Sequence, residues 1–442
     1  MTVDSKGTVR PILDMNAFDK AQAETAAPAV ARRLDNLGAA SVLFYREPIQ
    51  MVSASGAWMT AADGRKYLDF YNNVPSVGHS HPEVVRAVAD QMARLNTNTR
   101  YIVDVVDAYL EALKAKLPAA LSNVVLTCSG SEANDLALRV ARKATGGTGV
   151  IVTENAYHGN TAFVTEVSPS ALKRGSLPDY VVAIPTPSQE NYGPDIAEGF
   201  TASLRAAIAE LDKRGLRPAA LIVDSIFSSD GIFADPPGFL RPAVQAIRDA
   251  GGLFIADEVQ PGFARTGDAF WGFARHGVEP DIVTMGKPMG NGFPMAGMAA
   301  RPDHLAAFCT DVGYFNTFGG NPVAAAAGAA VLRVIEAEGL QANARETGRY
   351  LLDRLSALAD TDPRVAAVRG AGLFIGVDLC DPSRDMAPDP DFAVQVIDGF
   401  KARGVLIGAA GRFGATLKVR PPLCLTRDEA DQFADALADI LA

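Results

Sequence analysis

Between about Pro82 and Pro322, short apolar runs alternate with amphipathic stretches, and few architectures accommodate that order. It predicts an α/β domain, a mainly parallel sheet with helices on both faces. The seven candidate strands are Val124–Thr127, Gly149–Val152, Val181–Ile184, Ala219–Val223, Leu253–Ala256, Ile282–Thr284 and Ala296–Ala300. After the first of them, Ala133, Leu136, Ala137, Val140 and Ala141 recur at helical spacing as one apolar stripe. Beyond Asn321-Pro322 a long Ala-rich helix leads out, and the remainder reads as a smaller α+β domain. Upstream, "WMTAADGRKYLDF" reads as a hairpin turning at Asp63-Gly64, and an Ala-rich helical arm precedes it. The expected division is 1–74 for an N-terminal arm and part of the small domain, 75–325 for the large domain, and 326–442 for the C-terminal small domain.

A chain of 442 residues fits two or three domains, and 48% hydrophobic with 21% charged residues is an ordinary globular composition. The net charge of −10 and pI near 5.1 argue against a nucleic acid or an anionic membrane as partner. A site for an anionic substrate must then be a local basic cluster. Cys128, Cys309, Cys380 and Cys424 are scattered without metal-ligand spacing, so no metal is expected. They read as reduced, mostly buried thiols of a cytoplasmic protein. The N-terminal "MTVDSKGTVRPILDMN" lacks the apolar core of a secretory signal, and no apolar stretch approaches a membrane span.

Chemistry concentrates in "IADEVQPG" at Ile255–Gly262 and "DIVTMGKPMGNGFP" at Asp281–Pro294. An acidic residue, Asp257, ends one apolar strand, and Lys287 follows the next. That pairing suits an enzyme of pyridoxal 5'-phosphate: the lysine amine holds the cofactor as a Schiff base, and the carboxylate keeps the pyridine nitrogen protonated. Without Lys287, Asp257 would read equally as a cap of the turn that follows it. Alternation puts Ile255, Asp257 and Val259 on one side, so that Val259 presses the ring while Gln260 reaches its phenolic oxygen. "GKPMGNG" superficially suggests a nucleotide loop, but it lacks the P-loop spacing and Pro288 opposes a helix there.

The flanking motifs read two ways. "VVLTCSGSEANDLALRVAR" is strand, turn and helix start; Ser129 with Glu132 fits a capping box, and the free N–H groups suit a phosphate dianion. Taken alone it is only a well-capped helix; beside Asp257 and Lys287 it reads as a cofactor phosphate site. In "ENAYHGNT", Tyr157 is a candidate to stack on the cofactor, and His158 is read as structural. "YFNTFGGNP" sets Thr317 beside a glycine pair, as a phosphate contact from a neighbouring subunit or as a plain Gly-rich loop.

In order and spacing these motifs resemble those of the class III aminotransferases of the fold-type I pyridoxal phosphate superfamily. The likeness runs from "DGRKYLDF" and "GHSHPEVV" through "SGSEAND", "YHG", "ADEVQPGFARTG" and Lys287 to "PPL" at Pro421–Leu423. It implies a mainly parallel seven-stranded sheet in the large domain and a smaller α+β domain built from the N- and C-terminal segments. It further implies a homodimer with the active site at the subunit interface. By the same resemblance Gly130 and Ser131 bind the cofactor phosphate, Tyr157 stacks, Asp257 pairs with the ring nitrogen and Gln260 touches the ring oxygen. Lys287 is then the catalytic lysine, and Thr317 reaches the phosphate of the partner subunit.

Within the class, "NNVPSVGHSHP", "LNTNTRY", "TMGKPMGNG", "YFNTFGGNP" and "LKVRPPLCLT" are similar to the ethanolamine-phosphate and hydroxylysine phospho-lyase branch. That branch implies elimination of phosphate and ammonia from a small phosphorylated amine such as phosphoethanolamine, leaving acetaldehyde. The alternatives are an ω-aminotransferase, a lyase acting on an amino-hydroxy phosphonate, and a non-catalytic regulatory module. Many class III transaminases carry a Glu-Pro pair where this chain has Asp224-Ser225. Asp224 is otherwise read as a structural acid at a strand end. Arg412 and Arg100, the latter supplied across the dimer, are the candidates for the substrate phosphate, each with a solvated surface arginine as its alternative.

Overall fold

The computed structural model of the chain describes residues 3–4, 7–21 and 27–442. Part of the Ala-rich arm, residues 22–26, and part of the N-terminal segment lie outside the described residues; the helix of the arm runs Pro28–Leu37.

The central sheet has seven strands, in the order Asn123–Thr127, Ala296–Ala300, Ile282–Met285, Leu253–Asp257, Pro218–Val223, Gly149–Thr153, Val181–Ile184. Each expected strand is present, with ends moved by no more than one residue. Ala296–Ala300 runs antiparallel to both neighbours, and the other six strands share one direction. The strands Gly149–Thr153, Pro218–Val223 and Ala296–Ala300 are buried throughout, as expected of a sheet covered on both faces. The helix Gly130–Thr145 packs its stripe of Ala133, Leu136, Ala137, Val140 and Ala141 against one face, each side chain fully buried. Burying Leu136 and Val140 alone contributes roughly 1.5–3 kcal/mol each.

The chain ends interlock. The hairpin Trp58–Ala61 and Lys66–Asp69 turns at Asp63-Gly64 as expected, and Val405–Leu406 joins it in parallel beside Lys66–Asp69. A second C-terminal sheet pairs Val365–Ala371, Phe374–Asp381, Thr416–Val419 and Gly408–Ala410 in antiparallel fashion. Arg265, 1% exposed, ties this part to the large sheet. It donates to the Leu373 carbonyl at 3.2 Å, to Ser76 Oγ at 3.4 Å and, through a short bond, to the Pro421 carbonyl. Arg265→Met keeps much of the volume and leaves those acceptors without a partner. We expect it to cost about 3 kcal/mol in urea unfolding. A loss under about 1 kcal/mol would remove the residue from this role.

The cysteines differ from expectation. All four are free, but only Cys380 is buried; Cys128 and Cys424 are half-buried and Cys309 is exposed on the helix Pro302–Asp311. Among the described residues no helix is long and apolar enough to cross a membrane.

Candidate active site

Six strands pointing one way bring their C-terminal ends to one edge, where ligands of open α/β sheets bind. Gly130 and Ser131 follow Thr127, Tyr157 follows Thr153, Asp224 follows Val223, Asp257 ends its strand, and Lys287 lies just past Met285. Residues far apart in sequence therefore converge without any special device.

Asp257 is 4% exposed, and three donors orient its carboxylate. Asn134 Nδ2 bonds Oδ2 at 2.9 Å, His158 Nδ1 lies 2.7 Å from the same oxygen, and the Val259 N–H reaches Oδ1 at 3.1 Å. The last contact is the turn cap that the sequence offers as the alternative role. Asn134 is itself fixed, donating to the His158 carbonyl at 2.7 Å and accepting from Thr284 Oγ1 at 2.6 Å. Thr284 sits beside Asp257 in the register of the two central strands. His158, read as structural, is a positioning residue for this carboxylate. Asn134 was missed, although a polar residue inside the apolar stripe of its helix is the kind of signal that marks a buried contact.

Lys287 begins a single 3-10 turn, Lys287–Gly290, in which Pro288 falls in the first turn, where its missing N–H does no harm. No α-helix starts at Lys287, as expected from Pro288. Lys287 has φ of +27°, a left-handed value rare for a residue with a Cβ and of a kind found at functional sites. Burial pushes its amine down to about 8; Arg420 adds to that, while Asp257 and Asp224 oppose it.

The helix Gly130–Thr145 starts as expected, with Ser129 Oγ accepting from the Glu132 N–H at 3.2 Å. The reciprocal half of the capping box differs: the Glu132 carboxylate takes the Cys128 N–H at 2.7 Å, one residue earlier than Ser129. Gly130 and Ser131 are the first two helical residues, whose N–H groups have no intrahelical acceptor. A Cβ on Gly130 would come within 3.0 Å of Val259, so the helix start and the turn after Asp257 are packed as one surface. Gly159, with φ of +140°, lets the "YHG" loop lie against Ser131, whose Oγ accepts from the Asn160 N–H at 3.1 Å. Tyr157 is half-buried beside them.

Gln260 is engaged at both ends. Its Nε2 donates to Ser228 Oγ at 2.5 Å, and its Oε1 accepts from Arg420 Nη1 at 2.6 Å. Ser228 donates in turn to Asp224 Oδ2 at 2.7 Å, so Asp224, Ser228, Gln260 and Arg420 form one chain of hydrogen bonds. Asp224 also accepts the Ile226 and Ser228 N–H groups; burial pushes its carboxyl above the usual range, and the Asp257 charge adds to this. The bland expectation for Asp224, a structural strand-end acid, describes its contacts well.

The remaining candidates lie in other loops. Arg412 is paired with Glu154 through a short contact, just past the strand Gly149–Thr153. Arg100 lies at the surface with its guanidinium 4.3 Å over the Phe315 ring. Thr317 is exposed in the same loop, which Asn316 ties to Glu132 at 3.3 Å.

The site fits pyridoxal phosphate on its donor set: N–H donors at a helix start for the phosphate, an oriented carboxylate for the ring nitrogen, and a half-buried lysine whose amine has a lowered pKa. Such a sheet edge defines a fold-type I pyridoxal phosphate enzyme. The chain belongs to the class-III aminotransferase family, whose pattern matches residues 44–441, and its cofactor is pyridoxal phosphate. It is 41% identical to the alanine–glyoxylate aminotransferase 2-like protein of Drosophila melanogaster over 417 residues, covering 91% of this chain and 84% of that one. It is 35% identical to the ethanolamine-phosphate phospho-lyase homolog 1 of Caenorhabditis elegans, covering 93% of this chain and 92% of that one. Among solved structures, a phospholyase from Arthrobacter in complex with phosphoethanolamine superposes with a TM-score of 0.90 at 42% identity, covering 93% of this chain and 99% of that one.

Proposed function

We propose that this enzyme is a phospho-lyase that converts phosphoethanolamine, or a similar small phosphorylated amine, and water into an aldehyde, ammonia and inorganic phosphate. The likeness that carries the reading is the one to the Arthrobacter phospholyase in complex with phosphoethanolamine, which spans nearly all of that chain. When bound, the cofactor supplies an electron sink for the carbon bearing the amine. Gly130 and Ser131 would hold its phosphate, Tyr157 and Val259 would flank its ring, Asp257 would meet the ring nitrogen and Gln260 the ring oxygen. Lys287 then takes the proton from the amine-bearing carbon. The electron pair so released expels phosphate from the adjacent carbon with the C–O bonding pair, and the enamine takes up water to give acetaldehyde and ammonia.

The enzyme acts as a homodimer in this reading. Tyr101, Ile102, Phe315 and Phe318 are exposed apolar side chains in the two segments that hold Arg100 and Thr317, Ile102 at 91%. Large apolar side chains gathered in this way mark an interaction surface. A second copy covering them would bring Thr317 toward the partner's cofactor phosphate.

The similarity to the Drosophila aminotransferase-like protein favours a second reading, an ω-aminotransferase on the same scaffold. One incubation separates the two. Cofactor-loaded enzyme with phosphoethanolamine and no keto acid is expected to release phosphate and acetaldehyde in equal amounts. No release, with pyruvate-dependent consumption of simple amines instead, would establish the aminotransferase.

A further inference from the structure

We propose that Asn291 is a positioning residue for Lys287: its side-chain amide ties the end of the lysine's turn to the loop 74–79, and so fixes where the amine points. The proposal rests on Lys287 being the lysine that holds the cofactor, and it stands for a lyase and for an aminotransferase alike. Residues 286–293 form a run of tight turns. The Met289 N–H reaches the Gly286 carbonyl at 2.8 Å, the Asn291 N–H the Pro288 carbonyl at 3.1 Å, and the Phe293 N–H the Gly290 carbonyl at 2.9 Å. Turns of this kind satisfy their own backbone groups locally, so what aims them must come from other segments.

At its start the run is held by packing. A Cβ added to Gly286 would lie 3.5 Å from Gly130 Cα and N, so Gly286 sits against the start of the helix Gly130–Thr145, and Met289 is fully buried. At its end the run is held by Asn291. Nδ2 donates to the Gly78 carbonyl at 2.9 Å, and Oδ1 accepts from the N–H of buried Val77 at 3.0 Å. A side-chain amide carries both a donor and an acceptor, so it pairs with this loop as a peptide group would. Lys287, with its φ of +27°, lies between the two points of attachment.

A simpler account makes Asn291 only the residue that ends the turn. Its φ of +48° is left-handed, which asparagine tolerates. That role uses the backbone alone, however, and glycine would fill it as well. The side chain is spent on another segment, and that segment is itself fixed. The Gly78 N–H bonds the Pro75 carbonyl at 2.9 Å, and the Ser76 carbonyl accepts from the Leu423 N–H at 2.7 Å. His79 exchanges backbone bonds with Gly56 at 2.8 and 3.2 Å, and its Nε2 lies 2.7 Å from Oδ2 of buried Asp69. A turn clamped to such a loop can keep a backbone that lysine does not adopt unaided. The loop also begins beside Asn73, which accepts from Arg420 at 3.3 Å, so one stretch of chain meets both Arg420 and the lysine's turn.

The test uses full-length Asn291→Gly, which allows the left-handed backbone and deletes the clamp, with Asn291→Ala and Gly78→Ala beside it. Three quantities are read: the rate at which the apoenzyme captures pyridoxal phosphate covalently, the pH at which that rate levels off, and kcat and KM for whichever amine the parent enzyme consumes. Asn291→Gly is expected to slow capture and lower kcat roughly 10- to 100-fold, with KM within about threefold, as when a reacting group is misplaced by about an ångström. The levelling-off should move above about 8, because a lysine released from its place meets water and is less lowered by burial. Asn291→Ala should lose more, since it keeps a Cβ at this φ without the amide.

Gly78→Ala breaks the same clamp from the other side, because its Cβ would come 3.0 Å from Cys424 Sγ and displace the loop. The double variant should then capture the cofactor no more slowly than the slower single variant, and losses that multiply would overturn the proposal. So would an Asn291→Gly enzyme that melts lower than the parent but captures the cofactor at the parent's rate, with the levelling-off unmoved; that residue would only support the fold. Lys287→Ala tests the assignment beneath the proposal. Covalent capture that persists in it would overturn the role of Lys287 and this proposal together, whereas capture lost there and untouched in Asn291→Gly would overturn this proposal alone.

Discussion

Lys287→Ala is expected to retain the fold and lose at least about 10³-fold in turnover, because one substitution removes both the anchor of the cofactor and the base. Two measurements check it. Borohydride reduction of the cofactor-loaded parent enzyme should leave the cofactor fixed to a peptide containing Lys287, and the variant should yield no such peptide. A retained adduct on any other lysine would mean that the wrong residue has been assigned. The same amine predicts a pH dependence. Burial and Arg420 bring it down to about 8, so the fraction of neutral, nucleophilic amine grows as pH rises through that value. Capture of the cofactor by the apoenzyme should therefore quicken about tenfold per pH unit below about 8 and level off above it. Arg420→Gln removes the charge that most lowers the amine after burial, so it should move the bend to higher pH. An unmoved bend would separate Lys287 from Arg420.

Much of the scaffold was legible because its signals are local. Val150, Ile151 and Val152, or Ala220, Leu221 and Ile222, form short apolar runs that fit a buried strand, and the glycines and helix caps between them mark the crossings. The ends of parallel strands converge by topology, so Gly130, Ser131, Tyr157, Asp257 and Lys287 could be expected at one edge from their places after those strands. What lay hidden depends on contacts across long separations. Asn134 and His158 meet Asp257 across 123 and 99 positions, and Arg420 meets Gln260 across 160. No periodicity in any one segment encodes such a meeting. Arg412 and Arg100 are candidates for the substrate phosphate by the resemblance, and the structure sets them beside Glu154 and over the Phe315 ring. The alternation of Lys418 and Arg420 beside two buried apolar residues was visible, but a charged pair on a strand is more often turned to solvent, and only burial distinguishes the two cases. The left-handed backbone at Lys287 was likewise out of reach, since nothing in "GKPMG" demands it.

Asp257→Asn is expected to bind the cofactor yet turn over roughly 10² to 10³-fold more slowly, the cost typical of removing one preorganised charge from a reacting centre. The carboxylate accepts from Asn134 Nδ2, His158 Nδ1 and the Val259 N–H, so every bond it makes within the protein uses it as an acceptor. An amide has one acceptor oxygen and one NH2 group. If its oxygen faces Asn134 and His158, its NH2 meets the Val259 N–H; if it turns over, its NH2 meets the other two donors. Either way a buried donor loses its partner, and the ring nitrogen loses the charge that keeps it protonated. The two effects can be told apart. Asn134→Ala removes one support and leaves the charge, so it should reduce turnover far less than Asp257→Asn while lowering thermal stability by about 1–2 kcal/mol. Asp257→Glu restores the charge with a longer arm that the Val259 turn cannot hold in place, and it should recover only part of the lost turnover. Turnover of Asp257→Asn within about threefold of the parent enzyme would mean that the carboxylate only caps its turn, and that some other group holds the ring nitrogen in its protonated state.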